Sequence, residues 1–364
     1  MEKLSNFLNN MSHTPFYDPT KSYEVNYKSG PYGAFKDGKV LKEKESPSYD
    51  FFGNKVYLPF GIPAGPLLNS NFVKAALDKG FDIPVYKTVR SRSYPCHPLP
   101  NVLAVHIKDK LTSEMAQNTP LIADNNYTQP LGITNSFGVP SMSPDIWQAD
   151  LKDALSHTKE GQLVIGSFQG TGGGGVDAYI ADWVTTAKLL KETGVKVVEA
   201  NLSCPNEGTA NVLCLDLERT KAVLTAVKNE IGDLPLLIKG AYMSQEYLIK
   251  FVKELAPIVQ GFSVINTIAA EIVNEKGEQA LPGNGRLRSG VCGSPIKWAG
   301  LEMVKRLHEL RLTLNLNYKI VGVGGVMSAN DYAEYRKNGA DVVMSATGAM
   351  WNPYLAQEIK EIIK

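Results

Sequence analysis

The sequence predicts an α/β fold: a closed (β/α)8 TIM barrel with an N-terminal extension over residues 1–50 and a long loop insertion after strand 2. Three observations carry this. From about Val56 onward, eight short apolar runs alternate with segments of helical period. Several of those runs end in polar side chains that a buried strand does not require. The last two end in glycine-bearing turns, where barrels often bind phosphate. A doubly wound open sheet would share the alternation, because strand count does not prove closure.

In chain order, residues 9–44 are rich in Tyr, Lys, Asn, Ser and Gly with no sustained period. This texture predicts an irregular or partly extended arm rather than a second domain, with the barrel over 51–364. Strands are expected at 56–63, 83–89, 163–168, 195–202, 235–239, 262–267, 319–322 and 342–346. Helices are expected between and after them at 71–79, 178–193, 217–231, 244–256, 296–310, 328–338 and 353–363. Ser244 and Ser328 are suited to N-caps, and Gly194 and Gly339 to the left-handed residue that ends a helix. The connection 90–162 is long for a compact enzyme, so it reads as functional, hanging over the barrel's C-terminal face. It holds one expected helix, 145–156, and the run 131–141, read as an extra strand or a turn.

Composition narrows the function. The 364 residues carry 38 Lys+Arg against 37 Asp+Glu, which argues against general electrostatic binding of nucleic acid. No apolar run approaches the roughly 20 residues that span a bilayer, and residues 1–11 lack a signal peptide's apolar stretch. Cys96, Cys204, Cys214 and Cys292 form no C-x-x-C and no zinc or iron–sulfur spacing, which suits reduced thiols in a cytoplasmic protein.

The candidate chemistry sits at strand ends. Lys87 and Lys239 each close an apolar run, and a buried lysine is rare without a partner. Asn266 and Thr267 end another, and Asn201-Leu-Ser-Cys-Pro-Asn206 follows a fourth. Gly324-Gly325 precedes a helix opened by Ser328, and Thr347-Gly348 follows the last strand. Glycines let phosphate reach backbone N–H groups at a helix N-terminus, so a phosphorylated ligand is expected. Gly172 to Gly175 lacks the Lys-Ser/Thr ending of a phosphate loop and reads as a flexible loop or a close backbone approach. His97, His106 and His157 read as structural, and no metal site is expected.

Together these strings resemble the dihydroorotate dehydrogenases, flavin barrels of pyrimidine synthesis. The motifs recur in order: Ile62-Pro-Ala-Gly65, Lys87-Thr88, Asn135-Ser-Phe-Gly-Val-Pro140, Asn201-Leu-Ser-Cys-Pro-Asn206, Lys239, Asn266-Thr267, Ser289-Gly-Val-Cys-Gly293 with Ile296-Lys297, Gly324-Gly325 and Thr347. The resemblance implies FMN held by Ala64, Gly65, Lys87, Thr88, Asn135, Asn201, Lys239, Thr267, Cys292, Gly293, Gly324, Gly325, Ala346 and Thr347. It implies dihydroorotate held by Lys87, Asn135, Asn201, Asn206, Asn266 and Thr267, with loop amides at Gly138 and Val139. Cys204 would be the base, as in the soluble, cysteine-using members. A thiol's ordinary pKa near 8.5 suits removal of a weakly acidic C5 proton better than a carboxylate does.

Also implied are a cytoplasmic homodimer, a possible electron-transfer partner subunit, and fumarate, NAD through that partner, a quinone or oxygen as oxidant. The competing readings are a related flavin barrel reducing uracil-type pyrimidines, a Schiff-base lyase using Lys239, and a non-catalytic binding module.

Overall fold

The computed structural model describes residues 13–43, 45–203 and 213–363. Eight parallel strands form its centre: Phe60–Gly61 (β1), Val85–Val89 (β2), Ile165–Phe168 (β3), Val198–Asn201 (β4), Leu236–Gly240 (β5), Gly261–Val264 (β6), Lys319–Val323 (β7) and Val342–Met344 (β8). Their order round the sheet is β1-β8-β7-β6-β5-β4-β3-β2. Closure comes from two backbone bonds that join β1 and β2 with the residues flanking them, Ile83 N–H to Phe60 O at 3.1 Å and Val85 N–H to Ile62 O at 2.8 Å. The expected barrel is therefore the observed one.

Inside, Ile83, Val85, Ile165, Val197, Leu237, Val321 and Val342 fill the lower layers. Phe51 and Val56 join them from a hairpin, Tyr49–Phe51 with Asn54–Val56, which plugs the barrel floor. This corrects the first expected strand. Pro59 and Pro63 lack N–H donors and Leu58 N–H turns to the Asp82 carboxylate, so 56–63 splits into a hairpin arm and a two-residue barrel strand.

Helices pack outside. Ser244 and Ser328 cap theirs as expected, accepting from Tyr247 N–H at 3.3 Å and Asp331 N–H at 3.2 Å. Gly194 and Gly339 have φ of 88° and 103° and follow helix ends. The expected last helix is observed as Leu355–Ile362, and a short helix not expected from the sequence, Thr347–Trp351, precedes it and ends before Pro353. The N-terminal arm holds a helix, Tyr23–Ser29, and buries Phe16, Tyr17, Tyr23 and Phe35 in the main core. Gly172, Gly173 and Gly175 face open space, so that loop makes no close backbone approach.

The insertion is ordered. Strands Val102–Val105, Leu121–Asp124 and Gly132–Asn135 join Ile268–Val273 and Arg288–Gly293 in a closed five-stranded sheet. The last two come from the connection after β6, which the sequence does not mark as an insertion. No helix among the described residues is long and apolar enough to cross a membrane.

Candidate functional site

The C-terminal ends of the barrel strands and the small sheet enclose a cleft of about 1140 Å³, part of it open to solvent. Its walls bring together Ala64, Gly65, Lys87, Thr88, Asn135, Gly138, Val139, Asn201, Lys239, Asn266, Thr267, Cys292, Ala346 and Thr347. Gly293, Gly324 and Gly325 follow the wall residues Cys292 and Val323 in the chain but are not in the lining themselves. Cys204 and Asn206 lie outside the described residues.

A bulge explains how neighbouring residues of β2 share the wall. Pairing with β3 steps from Tyr86–Gly166 to Val89–Phe168, so Lys87 and Thr88 both oppose Ser167. In a regular strand they would face opposite sides of the sheet. The Thr88 and Ser167 hydroxyls are 3.0 Å apart, fixing the bulge from inside.

The asparagines are held by neighbours and keep groups free for a ligand. Asn201 Nδ2 donates to Gln169 Oε1 at 2.9 Å, while its buried Oδ1 has no partner among the described residues. Asn266 Nδ2 donates to Ser203 O at 3.2 Å and Ser203 Oγ at 3.1 Å. Asn135 Nδ2 points at Cys292 Sγ, 3.4 Å away. Burial pushes that thiol up, against contacts from Thr347 and Asn135.

Lys239 is 5 % exposed, and its Nζ donates to Ala64 O at 3.3 Å. On β4, fully buried Glu199 lies level with Ser167 of β3 and Leu237 of β5, one inward position below Asn201 and Lys239. Burial pushes the Glu199 carboxyl up, chiefly opposed by the Lys239 ammonium. Ser263 and Ser167 lie near enough to favour the carboxylate, yet neither makes a bond of full hydrogen-bond geometry to it. We therefore take Lys239 as the main partner of Glu199.

The donor set fits a flat, phosphorylated cofactor. Asn201, whose Oδ1 has no partner among the described residues, and two lysines stand in the cleft wall. Beside the wall residues Val323 and Thr347, the N–H groups of Gly324, Gly325, Thr347 and Gly348 have no protein acceptor among the described residues. A Cβ on Gly325 would stand 2.7 Å from the Lys297 backbone, so this turn admits only glycine.

Sequence reasoning missed Tyr17, Phe137 and Met350, which also line the cleft. Tyr17 reaches it only because the arm folds back, where its ring meets Phe137 edge-on at 5.7 Å. Glu199 had a visible signal, a carboxylate within an apolar strand. The three histidines expected to be structural bond Ser136, Asp124 and Asp78. No group of metal-binding side chains occurs among the described residues.

A family profile described as dihydroorotate dehydrogenase matches residues 114–364. A dihydroorotate dehydrogenase of Dictyostelium discoideum is 35 % identical over 359 residues, covering 94 % of this chain and 96 % of that protein. The catalytic subunit of dihydroorotate dehydrogenase B (NAD(+)) from Thermodesulfovibrio yellowstonii is 28 % identical over 244 residues, 65 % of this chain and 74 % of the relative. The corresponding subunit from Anoxybacillus flavithermus is 24 % identical over 250 residues, 68 % of this chain and 74 % of the relative.

Proposed function

The chain belongs to the dihydroorotate dehydrogenase family, and from that premise we propose that its cleft holds FMN and dihydroorotate together, with Cys204 as the base. The reaction is the flavin-dependent oxidation of dihydroorotate to orotate, a CH–CH oxidation of pyrimidine synthesis. The observation that carries the site assignment is the convergence of Lys87, Lys239, Asn135, Asn201 and Asn266 on one cleft.

FMN, when bound, supplies the acceptor for the hydride that leaves C6. The remaining work falls to this chain's residues. Glycine-bearing turns at 324–325 and 347–348 offer N–H groups to its phosphate. Lys239, held at Ala64 O, stabilises negative charge on the ring without rearranging. Asn135, Asn201 and Asn266 pin the amide and imide edge of the pyrimidine, and a site built from such donors and acceptors discriminates strongly against analogues. Lys87 and the amides of Gly138 and Val139 receive the substrate carboxylate. Cys204 Sγ takes the C5 proton, its thiolate being a far stronger base than a carboxylate at neutral pH. This reading puts the chain among the cysteine-using members and includes a cytoplasmic homodimer.

The test is the purified protein itself. Its cofactor, released by heat and identified by chromatography, is expected to be FMN, and turnover with dihydroorotate is then followed with fumarate, a quinone, oxygen and NAD in turn. Release of a different flavin refutes the cofactor assignment, and sedimentation checks the subunit count.

A further inference from the structure

We propose that Arg90 is a positioning residue for the substrate's carboxylate, acting through the backbone of Gly138 and Val139. The proposal rests on the reading above that these two amides receive the carboxylate. It adds what aims them.

Gly138 and Val139 line the cleft with φ of 75° and 52°, and a positive φ is costly for a β-branched residue unless its surroundings impose it. The carbonyls on this turn are taken from outside the cleft. Phe137 O accepts from His97 N–H at 3.0 Å. Gly138 O accepts from Arg90 Nη2 at 3.4 Å, and Val139 O from Arg90 Nε at 3.0 Å. In a trans peptide the N–H points opposite to the C=O. Anchoring Phe137 O therefore turns Gly138 N–H away from His97, and anchoring Gly138 O turns Val139 N–H away from Arg90. Neither N–H has a partner among the described residues. Two successive N–H groups left on one side of a turn form an anion-binding concavity.

Arg90 is itself rigid. It is 1 % exposed, its Nη1 donates to Gly170 O and Thr171 Oγ1, both at 3.1 Å, and its guanidinium lies 4.1 Å from the Tyr94 ring centre. The start of the turn is fixed separately, because Arg286 donates to Ser136 Oγ at 3.1 Å and Ser136 O at 3.0 Å. Losing Arg90 therefore releases Gly138 O, and with it the aim of the Val139 N–H, together with Val139 O, while the bond from His97 to Phe137 O stays and Asn135 and Ser136 keep their places.

The experiment titrates flavin-loaded Arg90→Gln with orotate and with methyl orotate, following the flavin absorbance, beside steady-state kinetics. Losing charge-assisted hydrogen bonds is expected to raise the orotate Kd by about tenfold to 100-fold. The KM for dihydroorotate follows it, while kcat stays within about threefold of wild type, the pattern of lost uniform binding. Flavin content and the Kd of methyl orotate, which lacks the anion, are expected to stay at wild-type values. Thr171→Val removes one anchor of Arg90 and serves if Arg90→Gln does not fold, with an expected rise in orotate Kd of about threefold. Orotate and its ester weakening equally, or orotate binding unchanged, overturns the proposal. Wild-type protein that binds no orotate instead overturns the site reading on which it rests.

Discussion

Replacing Lys239 with methionine removes the buried ammonium whose charge chiefly opposes the desolvation of Glu199 at the centre of the site. Lys239 is 5 % exposed and Glu199 is fully buried on the neighbouring strand. Methionine keeps the apolar stem and leaves the carboxylate without its cation. Breaking a buried pair from one side costs about 3–5 kcal/mol. With about 2.1 cal/mol/K of unfolding entropy per residue, a chain of this length loses about 4–7 °C in Tm for that cost. The loss depends on pH in a fixed direction. The folded pKa of Glu199 already lies above its ordinary 4.5. Stability linked to its protonation is therefore complete below 4.5 and lost as pH rises through the folded value. Lys239→Met raises that folded value further, so its deficit opens as pH climbs through the wild-type folded value and closes in acid. Glu199→Gln in the same background restores most of the loss, since no unpaired charge then remains. Thermal unfolding of flavin-free protein across pH is the assay, because altered flavin affinity then contributes nothing. A deficit that is the same in acid and at every higher pH, or a double variant no better than Lys239→Met, refutes the reasoning.

Further outcomes follow from other parts of the molecule. Cys204→Ser is expected to retain flavin but slow its anaerobic reduction by dihydroorotate by about 10²–10⁴-fold, more at neutral than at alkaline pH; unchanged stopped-flow rates dismiss Cys204 as the base. Burial pushes the Asp82 carboxyl up to about 7 although Lys360 stands 2.8 Å away. Stability linked to its protonation is present below 3.8 and lost through about 7, so wild type should lose about 4 kcal/mol relative to Asp82→Asn between acid and pH 8. A constant difference in unfolding midpoint across that window contradicts this. Gly290→Ala would set a methyl 2.2 Å from Thr267 Oγ1 in the cleft wall. It is expected to cost about 1–3 kcal/mol of stability and to weaken orotate binding, which calorimetry and titration check.

Much of the site was legible because strand ends that break an apolar pattern demand a reason, and Lys87, Lys239, Asn201 and Asn266 all reach one cleft. The caps at Ser244 and Ser328 were legible because their bonds are local. What escaped depends on distant partners. The bulge that turns both Lys87 and Thr88 into the wall exists only against β3. The hairpin under the barrel and the small closed sheet use strands of three to six residues whose pairing partners lie far along the chain or show little alternation. Tyr17 becomes a cleft residue only when an arm without periodicity packs its aromatic side chains into the core. Glu199 was visible as an anomaly, but its charge partner becomes evident only from the register of β4 and β5.

Anaerobic mixing of the flavin-loaded protein with a single pyrimidine tests the central claim most directly. Dihydroorotate is expected to bleach the yellow colour within one turnover with orotate as the product, whereas dihydrouracil leaves the spectrum unchanged. Bleaching by dihydrouracil instead, or a spectrum that neither compound alters, contradicts the account.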